Sequence, residues 1–346
     1  VRLRGLLPAF FLAEVASVAS VASVARVARA EETLNPWDAA RDPAAAARFA
    51  LHRRVREILS TPLMTAVLVP RDYALQRARV LLEQAHAEKS PDVLLRLDLG
   101  RVYADLDESV RAAETLQSAF DDDPDNPAVI AEFPTLANAY AKLDDSKDEL
   151  RIYERFLPRV VGELTHTTGL LNMAEAEMHL GDLESAIDGY KATIDEAATL
   201  PNVYELEFHT GALARWGLAV AEDRSGDIDG AARTTRTIVE ELDRDMQTIR
   251  FDRGVFFAPE RERNWYVALG FAAYAQKAED PRTAAGLYYR AEECWNEYVI
   301  DAKAHGSQDR WLDLALARYV RAHAQRVAAE RRVKGRVVYP QTDCSR

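Results

Sequence analysis

Apolar residues between Leu95 and Pro127 recur at helical rather than strand spacing. Leu95, Leu99, Val102, Tyr103 and Leu106 share one face of a first helix, and Val110, Ala113, Leu116 and Phe120 share one face of a second. Gly100, Ala104, Ala112 and Ala119 are small, which predicts close approach of a neighbouring helix at those points. The acids from Asp105 to Glu108 suit the end of one helix and the start of the next, because negative charge is favourable at a helix N-terminus. Asp123-Pro124 closes the pair, since the residue before a proline leaves helical space. The pattern therefore predicts a helical hairpin.

Weaker copies follow along the chain. Phe133, Leu136, Ala137 and Tyr140 open a second hairpin that Glu149, Tyr153 and Phe156 close. Leu170, Met173 and Ala174 lead through a Gly181-Asp182 turn to Ala186 and Tyr190. Leu218 and Ala219 lead through Gly226-Asp227 to Ala231, and Tyr266, Leu269 and Gly270 lead to Ala284, Tyr288 and Ala291. Gly tolerates positive φ at such turns, and Asp accepts a backbone hydrogen bond at the next helix start. Trp311, Leu314 and Ala315 begin a last helix that turns polar and basic at Arg331 and Arg332. Upstream, Ser60 to Pro91 reads as a degenerate hairpin, with Ala66 in its first helix and Ala78, Leu82 and Ala85 in its second.

Leu99, Gly100 and Tyr103, followed by Ala112, Leu116, Ala119 and Pro124, resemble the tetratricopeptide repeat. Arg96 departs from the pattern, standing where a bulky residue is usual. The resemblance implies an all-α, right-handed superhelical solenoid of antiparallel hairpins over residues 59–333, with a C-terminal capping helix. It also implies a non-catalytic scaffold that holds a peptide or partner protein in a concave groove lined by the first helices. Carried over position by position, that groove takes Arg101, Asp105, Asn138, Lys142, Glu175, Met178, His179, Trp216, Asp223, Arg224, Asn264, Phe271 and Tyr274. Trp216, Phe271 and Tyr274 are either aromatic anchors for a partner or fillers between imperfect repeats.

Residues 1–30 resemble a signal peptide: Arg2 and Arg4, an apolar stretch, then small residues ending at Ala28-Arg29-Ala30. That reading predicts export to the periplasm or cell envelope. A disordered alanine-rich leader would instead leave the chain cytoplasmic. Residues 31–58 read as a linker and N-terminal helix, whose His52, Arg53, Arg54 and Arg56 form a solvated basic face, and 334–346 read as a tail. No later apolar run reaches the length of a membrane span. A net charge of −12 argues against nucleic acid as a partner.

Catalytic motifs are missing, and no cofactor or metal is expected. Asp121, Asp123, Asp125 and Glu132 have the spacing of a calcium loop, but Asn126 replaces its central glycine and two prolines intrude. Glu175/His179 and Glu205/His209 are expected to be solvated helix pairs. Cys294 and Cys344 either pair in an oxidising compartment or remain two thiols. The long connection Asp245 to Asn264 carries Phe251, Phe256 and Phe257, which either pack on neighbouring repeats or border the groove. The rival to a scaffold is an envelope enzyme, or an accessory subunit of one, with a site near that connection.

Overall fold

The computed structural model describes residues 41–60, 70–160, 164–200, 206–243, 246–252, 254–304, 309–337, 339 and 344. The proposed signal peptide and Ala66 lie outside the described residues, as does most of the proposed linker. Among the described residues the fold is all-α, without strands, and successive helices pack on one another as hairpins. The chain divides into two compact units, one up to Arg159 and one from Val160.

The first unit contains α1 (Pro43–Leu59), α2 (Arg71–Gln84), α3 (Val93–Asp105), α4 (Ser109–Asp122), α5 (Pro127–Ala131), α6 (Phe133–Lys142) and α7 (Ser146–Phe156). Asp92, Asn126 and Asp145 each accept a hydrogen bond from a backbone N–H in the first turn that follows, satisfying donors that a helix start leaves unpaired. The small residues act as expected: a Cβ on Gly100 would lie 2.5 Å from Leu116 Cγ, so α3 and α4 meet closely there. Both hairpin turns place an aspartate in the left-handed region, Asp107 at φ 61° and Asp144 at φ 59°. Phe120 packs edge-on against Phe156 at 5.0 Å in the interior, and Phe133 against Tyr153 at 6.1 Å.

Two details differ from the sequence reading. The helix that pairs with α2 is α1, and its basic face is only partly solvated. His52 and Arg56 both turn inward onto Asp98 of α3, Arg56 at 3.2 Å, while Arg53 and Arg54 stay exposed beside Glu57. The buried Asp98 carboxylate requires such partners, because an unpaired buried charge is costly. Arg96 fills its bulky position with its stem and sends its guanidinium to Asp122 at 2.6 Å.

The second unit contains α8 (Leu164–Leu180), α9 (Leu183–Ala197), α10 (Leu206–Ser225), α11 (Ile228–Thr237), α12 (Gln247–Phe251), α13 (Glu262–Lys277), α14 (Pro281–Ala304) and α15 (Leu312–Glu330). Its turns are built as the sequence implies. Gly181 and Gly226 have φ of 84° and 92°, and Asp182 and Asp227 cap the helices that follow. The connection before α13 is folded onto the core: Phe256 and Phe257 are buried edge-on against Tyr266, at 5.6 and 5.0 Å. Cys294 and Cys344 form a disulfide, with a Cα–Cα distance of 5.1 Å. Tyr339 stacks on Tyr289 of α14 at 4.4 Å, so the described positions of the C-terminal segment dock back rather than trail away. No helix among the described residues is long and apolar enough to cross a membrane.

Candidate functional site

The first helices of the two units treat their polar residues differently. In the first unit, Arg101 of α3 pairs with Glu132, Asp105 with Arg71 at 2.9 Å, and Lys142 of α6 with Asp107 at 2.7 Å. Burial and the neighbouring Arg56 lower the Arg101 guanidinium to about 10, so it remains a cation at neutral pH. The Arg71–Asp105 and Lys142–Asp107 pairs lie largely in water, where a pair contributes about 0–1 kcal/mol and is readily exchanged. Asn138 sits on the same helix as Lys142, half-buried, and its amide oxygen is enclosed without a hydrogen-bond partner.

In the second unit the corresponding positions form an interior network. Glu175 accepts from the hydroxyls of Tyr190 and Tyr266, the latter at 2.9 Å. His179, one turn later, lies 3.3 Å from Glu175 and 3.7 Å from Glu262 at the start of α13. Arg224, at the end of α10, meets Glu262 at 2.5 Å. The Arg224 guanidinium is sandwiched between Trp265 and Trp311, at 4.4 and 4.9 Å from the two ring centres. Tyr298 of α14 places its hydroxyl between Glu262 and Asp309. Asp223, beside Arg224, accepts from Trp265 at 3.1 Å and Arg318 of α15 at 2.9 Å.

The electrostatics follow from this enclosure. Burial would lower the His179 imidazolium, but the carboxylates of Glu175 and Glu262 outweigh it and raise it to about 10. Burial would raise Glu262, yet Arg224 and His179 hold it well below the usual carboxylate range. Burial and the Glu175 charge push the Tyr190 and Tyr266 hydroxyls well above theirs, so both remain donors. Two carboxylates thus face two cations, and each carboxylate accepts further hydrogen bonds from tyrosine hydroxyls, which a buried ion pair needs to be tolerated.

The structure therefore brings together Glu175, His179, Asp223 and Arg224 of the proposed groove, but as buried groups. Glu175/His179 is not a solvated helix pair: the two side chains are 5% and 12% exposed, because aromatic residues of α9 and α13 close over them. Trp216 is fully buried elsewhere in the same unit and donates its indole N–H to Asp243 at 3.2 Å. Phe271 is also buried, with Arg290 over its ring at 4.1 Å, and Met178 is enclosed in the core. Tyr274 and Asn264 are half-buried. His209 pairs with Asp252 at 3.1 Å, and Glu205 lies outside the described residues.

Sequence reasoning missed Glu262, Tyr298, Asp309 and Arg318, which complete the network from helix ends and later helices. Tyr190 and Tyr266 were legible as repeat positions, but their shared acceptor was not. The calcium spacing resolves into other contacts: Glu132 pairs with Arg101, Asp125 lies 3.1 Å from Arg159, and Asn126 caps α5. The connection before α13 is fastened, with Arg263 donating to the carbonyls of Ile249 and Asp252.

The sequence model of the tetratricopeptide repeat family matches residues 72–148, a span from α2 into α7. No curated protein matches the sequence. Among solved structures, the chain is similar to a tetratricopeptide repeat protein from Parabacteroides merdae, with 16% identity, 78% of this chain and 99% of that chain covered, and a TM-score of 0.45. It is also similar to the nearly identical TPR-like repeats of a putative kinesin light chain from Podosopora anserina in two crystal structures. One shows 18% identity over 57% of this chain and 95% of that chain, with a TM-score of 0.43. The other shows 17% identity over 61% and 96%, with a TM-score of 0.38.

Proposed function

We propose that this chain, whose residues 72–148 match the tetratricopeptide repeat family, is a non-catalytic scaffold that binds an extended peptide or partner segment on the first-helix face of its first unit. Arg101, Asn138 and Lys142 are the contacts. The observation that carries the reading is Asn138: a half-buried amide with an unmatched oxygen is suited to accept a peptide N–H, and an enclosed acceptor gains most from such a partner. The flanking Lys142 and Asp105 pairs are exposed and exchange at little cost. In the second unit, Glu175, His179, Trp216, Arg224 and Phe271 form that unit's own interior rather than direct contacts.

The test is capture of a partner by the full chain, compared with an Asn138→Ala/Lys142→Ala variant and a Tyr274→Ala variant. Loss of the partner in the first, at unchanged helicity, with retention in the second is the expected result. Retention in the first and loss in the second would overturn the assignment.

The Cys294–Cys344 disulfide supports maturation in an oxidising compartment, in line with the export signal read from residues 1–30. N-terminal sequencing of the mature protein should begin shortly after the small-residue stretch. A mature chain that still carries residues 1–30 would contradict export by that signal.

A further inference from the structure

We propose that Glu175, His179 and Glu262 form a binding site for one divalent transition-metal ion, with Zn2+ as the representative ion. Their ligand atoms lie within 4.8 Å of one another, and they are the one such group of three among the described residues. His179 Nε2 stands 3.3 Å from a Glu175 oxygen and 3.7 Å from a Glu262 oxygen. Nitrogen and oxygen ligands at about 2.1 Å in a tetrahedral shell lie roughly 3.4 Å apart. One imidazole and two carboxylates suit a borderline cation such as Zn2+.

The surroundings resemble those that hold metal ligands in place. Tyr190 and Tyr266 donate to the Glu175 oxygen turned away from His179, Tyr298 donates to the far oxygen of Glu262, and Arg224 donates to the Glu262 oxygen that faces His179, so both carboxylates are held in place. His179 is the most exposed of the three side chains, at 12%.

A second observation is independent of the three ligands. Arg224 is wholly enclosed, and its Nε and Nη1 have no hydrogen-bond partner; the same holds for the indole nitrogen of Trp311, whose ring packs on that guanidinium. Because the guanidinium is planar, Nη1 sits beside the Nη2 that holds Glu262. Enclosed donors without acceptors beside a candidate cation site point to an anionic oxygen as the ion's remaining ligand. Charge agrees. The ion displaces the proton of the His179 imidazolium, which leaves as H+; two carboxylates set against one guanidinium and a divalent ion then leave one positive charge, which a hydroxide or carboxylate oxygen balances. The ion would tie α8 to α13, adding to the apolar core that the two helices already share.

The experiment is calorimetric titration of the chelator-treated full chain with Zn2+, paired with X-ray absorption spectroscopy of the loaded protein. One equivalent should bind at micromolar affinity or tighter, with one imidazole and otherwise oxygen in the first shell. His179→Gln should weaken binding at least 100-fold, and His86→Ala/His323→Ala, which alters exposed histidines, should leave it unchanged. If His179→Gln does not fold, the spectrum of the wild type decides. No binding at one equivalent, a shell without imidazole, or unchanged affinity in a folded His179→Gln protein would overturn the site.

Discussion

In the unit up to Arg159, Asp105 and Lys142 hold their partners near water, whereas in the unit from Val160 the equivalent faces bury Glu175, Arg224 and Glu262 under tyrosine and tryptophan. The same hairpin thus serves two physical ends. An exposed pair adds little and can be traded for a partner's groups. A buried pair adds little net stability either, yet losing one member strands a charge, so the arrangement is hard to change. The difference also appears in the turns: aspartate occupies the left-handed position in the first unit and glycine in the second.

The contrast can be broken by mutation, beginning with its strongest element. Glu262→Ala leaves Arg224 uncompensated between two indoles and should cost about 3–5 kcal/mol in urea unfolding. Lys142→Ala should cost about 1 kcal/mol or less. Equal effects would erase the distinction between the units. Next, Cys344→Ser opens a loop of sequence separation 50 and should lower stability by about 2–4 kcal/mol, all of it in the second unit. Limited proteolysis then should cut the second unit first. Gly217→Val places a Cβ that would lie 2.3 Å from the Tyr190 ring, and overpacking of that kind costs about 1–3 kcal/mol. Tyr190 can give way only by disturbing Glu175, so fluorescence of the buried tryptophans should report the change.

Smaller effects sharpen the comparison of turns. Asp144→Gly should stabilise by up to about 1 kcal/mol and Gly181→Ala should destabilise by about 1–2 kcal/mol, because only glycine adopts the left-handed region freely. Thermal unfolding of the two variants should therefore move in opposite directions. The smallest effect is on pH. Burial would raise Glu83, but hydrogen bonds from Arg79, Arg111 and Tyr103 win and hold it below the usual 4.5. Its contribution is present above that value and fades as pH falls through the lower folded one. Glu83→Gln should flatten the acid limb of the first unit's stability slightly, and a steeper limb would contradict the sign.

Much of the fold was legible because hairpin packing is local. Gly100, Leu116, Gly181-Asp182 and Gly226-Asp227 act within one repeat, and each does what its spacing implies. Arg101 could be placed on α3, and Asn138 and Lys142 on α6, for the same reason. The second unit was not, because its network depends on distant pairings: Glu175 with Tyr266 is 91 residues apart, and Arg318 with Asp223 is 95. Periodicity places a residue on a helix face but does not say whether later aromatics will cover that face. Trp216 and Phe271 therefore read equally well as anchors or fillers, and burial decides for filling. His52 and Arg56 read as a solvated patch for a related reason: their partner, Asp98, lies two helices on.

The most direct test of the central claim is amide hydrogen exchange of the full chain with and without its captured partner. Slowed exchange over residues 93–105 and 133–142, with 206–225 and 262–277 unchanged, is the predicted result. Slowing confined to 206–225 and 262–277 would contradict it and place recognition in the second unit.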